Sequence, residues 1–109
     1  QLIGPAELSA MRPDAVLLNL SRGGIVDEAA LAEALGKGER RGAALDVFRT
    51  EPLPPDSPLR ALGNVLITPH AGSISPRYWD RQGGLMRRNF EHWRAGQPLD
   101  NQVDKERGY

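Results

Sequence analysis

Cysteine is absent from the 109 residues, which excludes a disulfide framework, a thiolate zinc site and a cysteine nucleophile. That absence agrees with a reducing compartment, and the cytoplasm is the expected location. An excess of one charge is missing too. Fourteen basic side chains face fourteen acidic ones, so no long-range field gathers nucleic acid or an anionic membrane surface, and neither is an expected partner. The longest apolar runs are about four or five residues, against the ~20 that span a bilayer. The N-terminus also lacks the basic-then-apolar order of a signal peptide. No Walker lysine, paired metal-ligand histidines or nucleophile elbow occurs, so no metal site is expected. The chain is also short of the ~200 residues that a two-domain enzyme needs.

What is present reads as an ordinary globular chain, 39% hydrophobic, able to fold around a core. It opens on Gln1 rather than Met and runs directly into Leu2-Ile3-Gly4-Pro5, like the middle of a longer sequence, so a fragment is expected. Pro5 with Glu7 in the first turn predicts a short helix over 4–11. Ala15-Val16-Leu17-Leu18-Asn19-Leu20 is apolar without alternation, the pattern of a strand buried on both faces of a parallel sheet. Asp27 then precedes Glu28 to Leu35, an N-cap before strong helix formers, with Gly36 or Gly38 available as left-handed C-cap. Ala43 to Phe48 is a second buried strand and Val65 to Thr68 a third. Between them, residues 49–63 form a loop with one short turn near Pro58 to Leu62. Trp79, Met86, Phe90 and Trp93 recur at helical spacing between Pro76 and Ala95, predicting the longest helix, weakened at Gly83-Gly84, and residues 96–109 form a polar tail. The fold class is therefore α/β, with about three parallel strands and flanking helices.

In open parallel sheets, ligands gather beyond the carboxyl ends of the strands, where loops and helix N-termini converge. That rule selects Arg22 after the first strand, Glu51 a few residues past the second and His70 just past the third. One guanidinium, one carboxylate and one imidazole would share an edge. A carboxylate beside a histidine suits acid–base work, and a guanidinium is the best anchor for a carboxylate substrate. Each has a plainer reading as a surface arginine, a loop acid or the end of a strand. Asp46, near the end of an apolar strand, must find a partner. It either caps local amides or receives the N–H donors of a ligand. Gly36-Lys37-Gly38-Glu39-Arg40-Arg41-Gly42 runs from helix into strand and reads as a C-cap, since a dinucleotide loop runs from strand into helix.

Asn19-Leu20-Ser21-Arg22-Gly23-Gly24-Ile25-Val26-Asp27-Glu28, Ala44-Leu45-Asp46-Val47-Phe48 with Glu51-Pro52, and Thr68-Pro69-His70-Ala71-Gly72 resemble the D-isomer-specific 2-hydroxyacid dehydrogenases. The resemblance implies half of a Rossmann-like doubly wound parallel sheet. Residues 1–95 would be the C-terminal half of a nucleotide-binding domain, with 96–109 as its tail. It implies NAD or NADP as cofactor, NAD being favoured, and a small 2-oxo or 2-hydroxy acid as substrate. Arg22 would hold the substrate, His70 would exchange its proton and Glu51 would partner His70. Asp46 would receive the nicotinamide carboxamide, while Ser21, Arg22, His70 and Gly72 would line the cofactor. The glycine-rich turn and the substrate domain of that family lie outside these residues, so the isolated chain is expected to be inactive and to form a homo-oligomer. A non-catalytic, corepressor-like binding or dimerisation module and a truncated remnant remain alternatives.

Overall fold

In the computed structural model, which describes residues 1–108, the chain separates after Gly72 into two units. The first unit begins with helix α1 (Pro5–Ala10), whose missing proline N–H falls where a helix has no use for one. Glu7 reaches back so that its Oε2 accepts from the Gly4 N–H at 2.9 Å. Strand β1 (Val16–Asn19), helix α2 (Glu28–Gly36), strand β2 (Gly42–Leu45) and strand β3 (Val65–Ile67) follow. Two 3-10 turns, Gly23–Ile25 and Pro58–Ala61, stand after β1 and before β3. The expected N-cap is present: Asp27 Oδ1 accepts from Ala29 N at 3.1 Å and from Ala30 N at 3.0 Å. At the other end Gly38, not Gly36, takes the left-handed backbone with φ 71.

The strands pair in parallel in the order β1-β2-β3, with Val16 opposite Gly42, Leu18 opposite Ala44, and Ala44 opposite Leu66. Parallel neighbours need a crossover, which α2 supplies between β1 and β2. One face of the sheet carries Leu17, Ala43, Leu45, Val65 and Ile67 and packs with Leu8, Leu31, Leu35 and Leu59 into the core. Each fully buried leucine there contributes about 1.5–3 kcal/mol of hydrophobic stabilisation.

The opposite face corrects the expectation of strands buried on both sides. Val16 (48%), Leu18 (68%) and Leu66 (64%) are exposed there. The uninterrupted apolar run records a demand for two covering layers, and within residues 1–72 α1, α2 and the Pro58–Ala61 turn form the layer over one face. The strands are also shorter than the apolar runs that announce them. Asp46 N still donates to Asn19 O at 3.0 Å, but the Asp46 side chain then engages the loop after β3.

In the second unit, helix α3 (Tyr78–Arg94) runs unbroken through Gly83-Gly84 and has no buried side chain. The rings of Phe90 and Trp93 stand 6.0 Å apart along it. The polar tail turns back on this helix: Asp100 N donates to Asn89 Oδ1 at 2.7 Å and Asp100 Oδ2 accepts from Arg88 Nε at 3.2 Å. Tyr109, the last residue of the expected tail, lies outside the described residues.

Candidate active site

Two buried polar side chains, Asn19 and Asp46, end the apolar stretches of β1 and β2, and each organises the loop that follows. Asn19 Nδ2 donates to Arg22 O at 3.0 Å and its Oδ1 accepts from Ser21 N at 3.2 Å, which fixes the turn that presents Arg22. The Arg22 guanidinium stays exposed and donates from Nη1 to Ser21 O at 2.7 Å. Gly23 then passes against the loop after β2 so closely that a Cβ would lie 1.9 Å from the Phe48 carbonyl carbon. That backbone approach joins the Arg22 turn to the segment carrying Glu51. A second tie is made by Glu28, whose Oε1 accepts from Arg49 N at 2.5 Å.

Both oxygens of Glu51 are engaged. Oε1 accepts from Phe48 N at 2.9 Å, and Oε2 lies 2.7 Å from His70 Nδ1. The hydrogen bond from His70, then that from Phe48 N–H, hold the Glu51 carboxyl below its ordinary range, aided by the positive charges of His70 and Arg22. An ionised carboxylate only accepts hydrogen bonds, so the proton between the two groups resides on His70 Nδ1, and Nε2 is the nitrogen left to exchange protons elsewhere. His70 has φ 53, a left-handed backbone that few residues other than glycine adopt and that concentrates at functional sites.

Asp46 is 2% exposed and has found its partners inside the chain. Its Oδ1 accepts from Thr68 Oγ1 at 2.5 Å and from Ala71 N at 2.9 Å, and its Oδ2 accepts from Gly72 N at 2.8 Å. The Thr68 hydrogen bond, followed by that from Ala71 N–H, holds the Asp46 carboxyl below the ordinary carboxylate pKa. Asp46 thus meets the demand of a buried carboxylate with donors from the loop after β3. A carboxylate has about four acceptor positions, and three donors from the chain leave one on Oδ2. Gly72 is required beside it, because a Cβ there would stand 2.9 Å from Asp46 Oδ2.

The sequence-selected residues thus fall into three local groups beyond the carboxyl ends of the strands: Ser21 with Arg22, Glu51 with His70, and Asp46 with Gly72. The Glu51–His70 pair forms part of the wall of a cavity of about 350 Å³, lined also by the apolar Phe48, Leu53, Ile67 and Pro69 and by the polar Arg60 and Thr68. Arg22 does not line that cavity, and its charge reaches the pair from outside it. Sequence reasoning passes over Asn19, Thr68 and Glu28. Asn19 carries the same signal as Asp46, a polar residue at the end of an apolar strand. Glu28 offers none, since its partner lies 21 residues further on. Among the described residues no three histidine, aspartate or glutamate side chains are grouped to hold a metal ion.

The family described as D-isomer specific 2-hydroxyacid dehydrogenase, NAD binding domain, matches residues 1–72. Glyoxylate/hydroxypyruvate reductase B of Pectobacterium carotovorum subsp. carotovorum is 58% identical over 74 residues, covering 68% of this chain and 23% of that protein. The crystal structure of a D-isomer specific 2-hydroxyacid dehydrogenase from Xanthobacter autotrophicus, in complex with NADPH and MES, is 44% identical. It superimposes with a TM-score of 0.82 over 96% of this chain and 43% of its own. D-lactate dehydrogenase with NAD+ from Lactobacillus jensenii is 29% identical, with a TM-score of 0.83 over 94% of this chain and 35% of its own. The chain spans between 20% and 36% of the length of such curated relatives. With its three-stranded parallel sheet and the residues at its carboxyl edge, the chain belongs to the NAD-binding domain family of the D-isomer specific 2-hydroxyacid dehydrogenases.

Proposed function

We propose that residues 1–95 serve as the C-terminal half of a nucleotide-binding domain, with 96–109 as its tail, in an NAD(P)-dependent D-2-hydroxyacid dehydrogenase. The observation that carries this reading is the His70 Nδ1 to Glu51 Oε2 contact of 2.7 Å on the sheet edge that also presents Arg22. The Arg22 guanidinium binds the substrate's carboxylate and stabilises the charge that grows on the carbonyl oxygen during reduction. His70, steadied at Nδ1 by Glu51, delivers a proton from Nε2 to that oxygen and removes it in the reverse direction. Bound NAD(P)H supplies the hydride.

The residues at the carboxyl edge suit the nicotinamide end of such a cofactor. Asp46 Oδ2 retains an acceptor position for a carboxamide N–H, and Ser21 and Gly72 offer close backbone. For the pyrophosphate they offer no G-x-G-x-x-G turn from strand into helix, so the 109 residues by themselves are expected to bind NADH weakly and to be inactive. NAD remains the favoured cofactor, although the relatives above include one solved with NADPH and one with NAD+. The likeness to glyoxylate/hydroxypyruvate reductase B supports a small 2-oxo acid of that size as substrate. Association of copies is part of the proposal, because Val16, Leu18 and Leu66 leave apolar surface on the sheet. No helix among the described residues is long and apolar enough to cross a membrane.

The test is oxidation of NADH and NADPH driven by glyoxylate or hydroxypyruvate, in the complete enzyme carrying these residues. Arg22→Ala should raise KM and lower kcat, with a combined loss of ~10² or more. Wild-type kinetics in that variant would overturn the assignment.

A further inference from the structure

The loop bearing His70 is tied down on both sides by one carboxylate. Before His70, Thr68 Oγ1 donates to Asp46 Oδ1 at 2.5 Å, and after it Ala71 N and Gly72 N donate to the two oxygens at 2.9 and 2.8 Å. Thr68 is itself anchored, since its N–H donates to Leu45 O at 3.0 Å in the last bond between β2 and the end of β3. Pro69 has no N–H and cannot extend the ladder. His70 N then turns back to Thr68 O at 3.1 Å, with its own backbone left-handed at φ 53. Histidine tolerates that conformation better than most residues but populates it sparsely, so the neighbouring contacts must hold it there. Asp46 only accepts, so the Thr68 hydroxyl must donate to it, and it is the side-chain tie on the N-terminal side of the turn.

We propose that Thr68 is a positioning residue for His70: by closing the clamp on Asp46 it holds the turn in which the imidazole Nδ1 meets Glu51. The proposal rests on the reading of His70 as the proton donor and acceptor for its catalytic consequence, and on geometry alone for its structural one.

The test compares Thr68→Val, which keeps the shape and removes the hydroxyl, with Thr68→Ser, which restores it. Thr68 is exposed, so the valine variant should fold, and Thr68→Ala removes the hydroxyl without adding an atom. Long-range proton–nitrogen NMR of the histidine rings reads the outcome directly, with His92 as the single other histidine. Wild type and Thr68→Ser should show His70 as one tautomer protonated at Nδ1. Thr68→Val and Thr68→Ala should show a mixture with the Nε2-protonated form. In the complete enzyme, kcat should fall about tenfold in both hydroxyl-free variants with KM little changed, and Thr68→Ser should recover it. A single Nδ1 tautomer in Thr68→Val and Thr68→Ala would overturn the proposal. Loss of tautomer preference in an enzyme with no oxidoreductase activity would sustain the clamp and refute the catalytic reading of His70.

Discussion

Gly23→Ala adds one methyl group where the backbone of the next loop already stands. A Cβ at this position would lie 1.9 Å from the Phe48 carbonyl carbon, 2.0 Å from its oxygen and 2.4 Å from Arg49 N. Ordinary contact distances are roughly 3.5–4.0 Å, so one of the two backbones must retreat by about 1.5–2 Å. None of the three atoms is the end of a side chain that could rotate away. Overpacking costs ~1–3 kcal/mol where side chains can adjust, and a collision between backbones belongs at the top of that range. The displaced segment also holds the Arg49 N to Glu28 and Phe48 N to Glu51 bonds, so Glu51 would move with it. A loss of about 3 kcal/mol in a unit of this size lowers Tm by roughly 12–24 °C. Gly24→Ala is the matched control, because a Cβ there meets nothing within 4 Å and the effect should stay within ~0.5 kcal/mol. Thermal melts of both variants beside wild type decide the matter. A Gly23→Ala melt within a few degrees of wild type would refute the reasoning, as would an equal loss in Gly24→Ala.

Asp27→Ala removes the acceptor for Ala29 N and Ala30 N and should cost about 1 kcal/mol in chemical denaturation, without altering the sheet. Acid should destabilise the fold through Asp46 and Glu51, both of which bind protons less readily folded than unfolded. Their contribution is complete above the ordinary values of 3.8 and 4.5 and is lost as pH falls through the lowered folded values. Melts recorded from neutral to acid pH should therefore show a flatter decline in Asp46→Asn and Glu51→Gln than in wild type.

How far the sequence reveals this molecule differs from residue to residue. Asp27 is legible because an acceptor directly before a run of helix formers has one economical use, and the helix starts there. Arg22, Glu51 and His70 could be chosen together because parallel topology sends every strand end to the same edge. Their mutual geometry could not. Glu51 and His70 are 19 residues apart, and their contact depends on how the loop over 49–63 folds back. The left-handed His70 is not announced by the sequence, since histidine adopts that conformation more readily than most residues but still does so in only a small minority of cases. Leu18 and Leu66 mislead for a physical reason: an apolar strand states that its faces avoid water, not which layer covers each. Gly83-Gly84 predicts a weak point in the last helix, yet the flanking turns of α3 carry the backbone bonds through it. Asp46 shows the reverse, because a buried carboxylate demands donors, and the loop after β3 provides them.

The central claim is that the Glu51–His70 pair supplies the proton for reduction of a 2-oxo acid. The most direct measurement is kcat of His70→Ala against wild type in the complete enzyme, with saturating reduced cofactor and glyoxylate or hydroxypyruvate, and with thermal melts confirming that the variant is folded at the assay temperature. Loss of a positioned general acid lowers the rate by ~10²–10⁴, so kcat should fall at least a hundredfold in a variant that still melts cooperatively. A folded His70→Ala enzyme turning over at the wild-type rate would contradict the account.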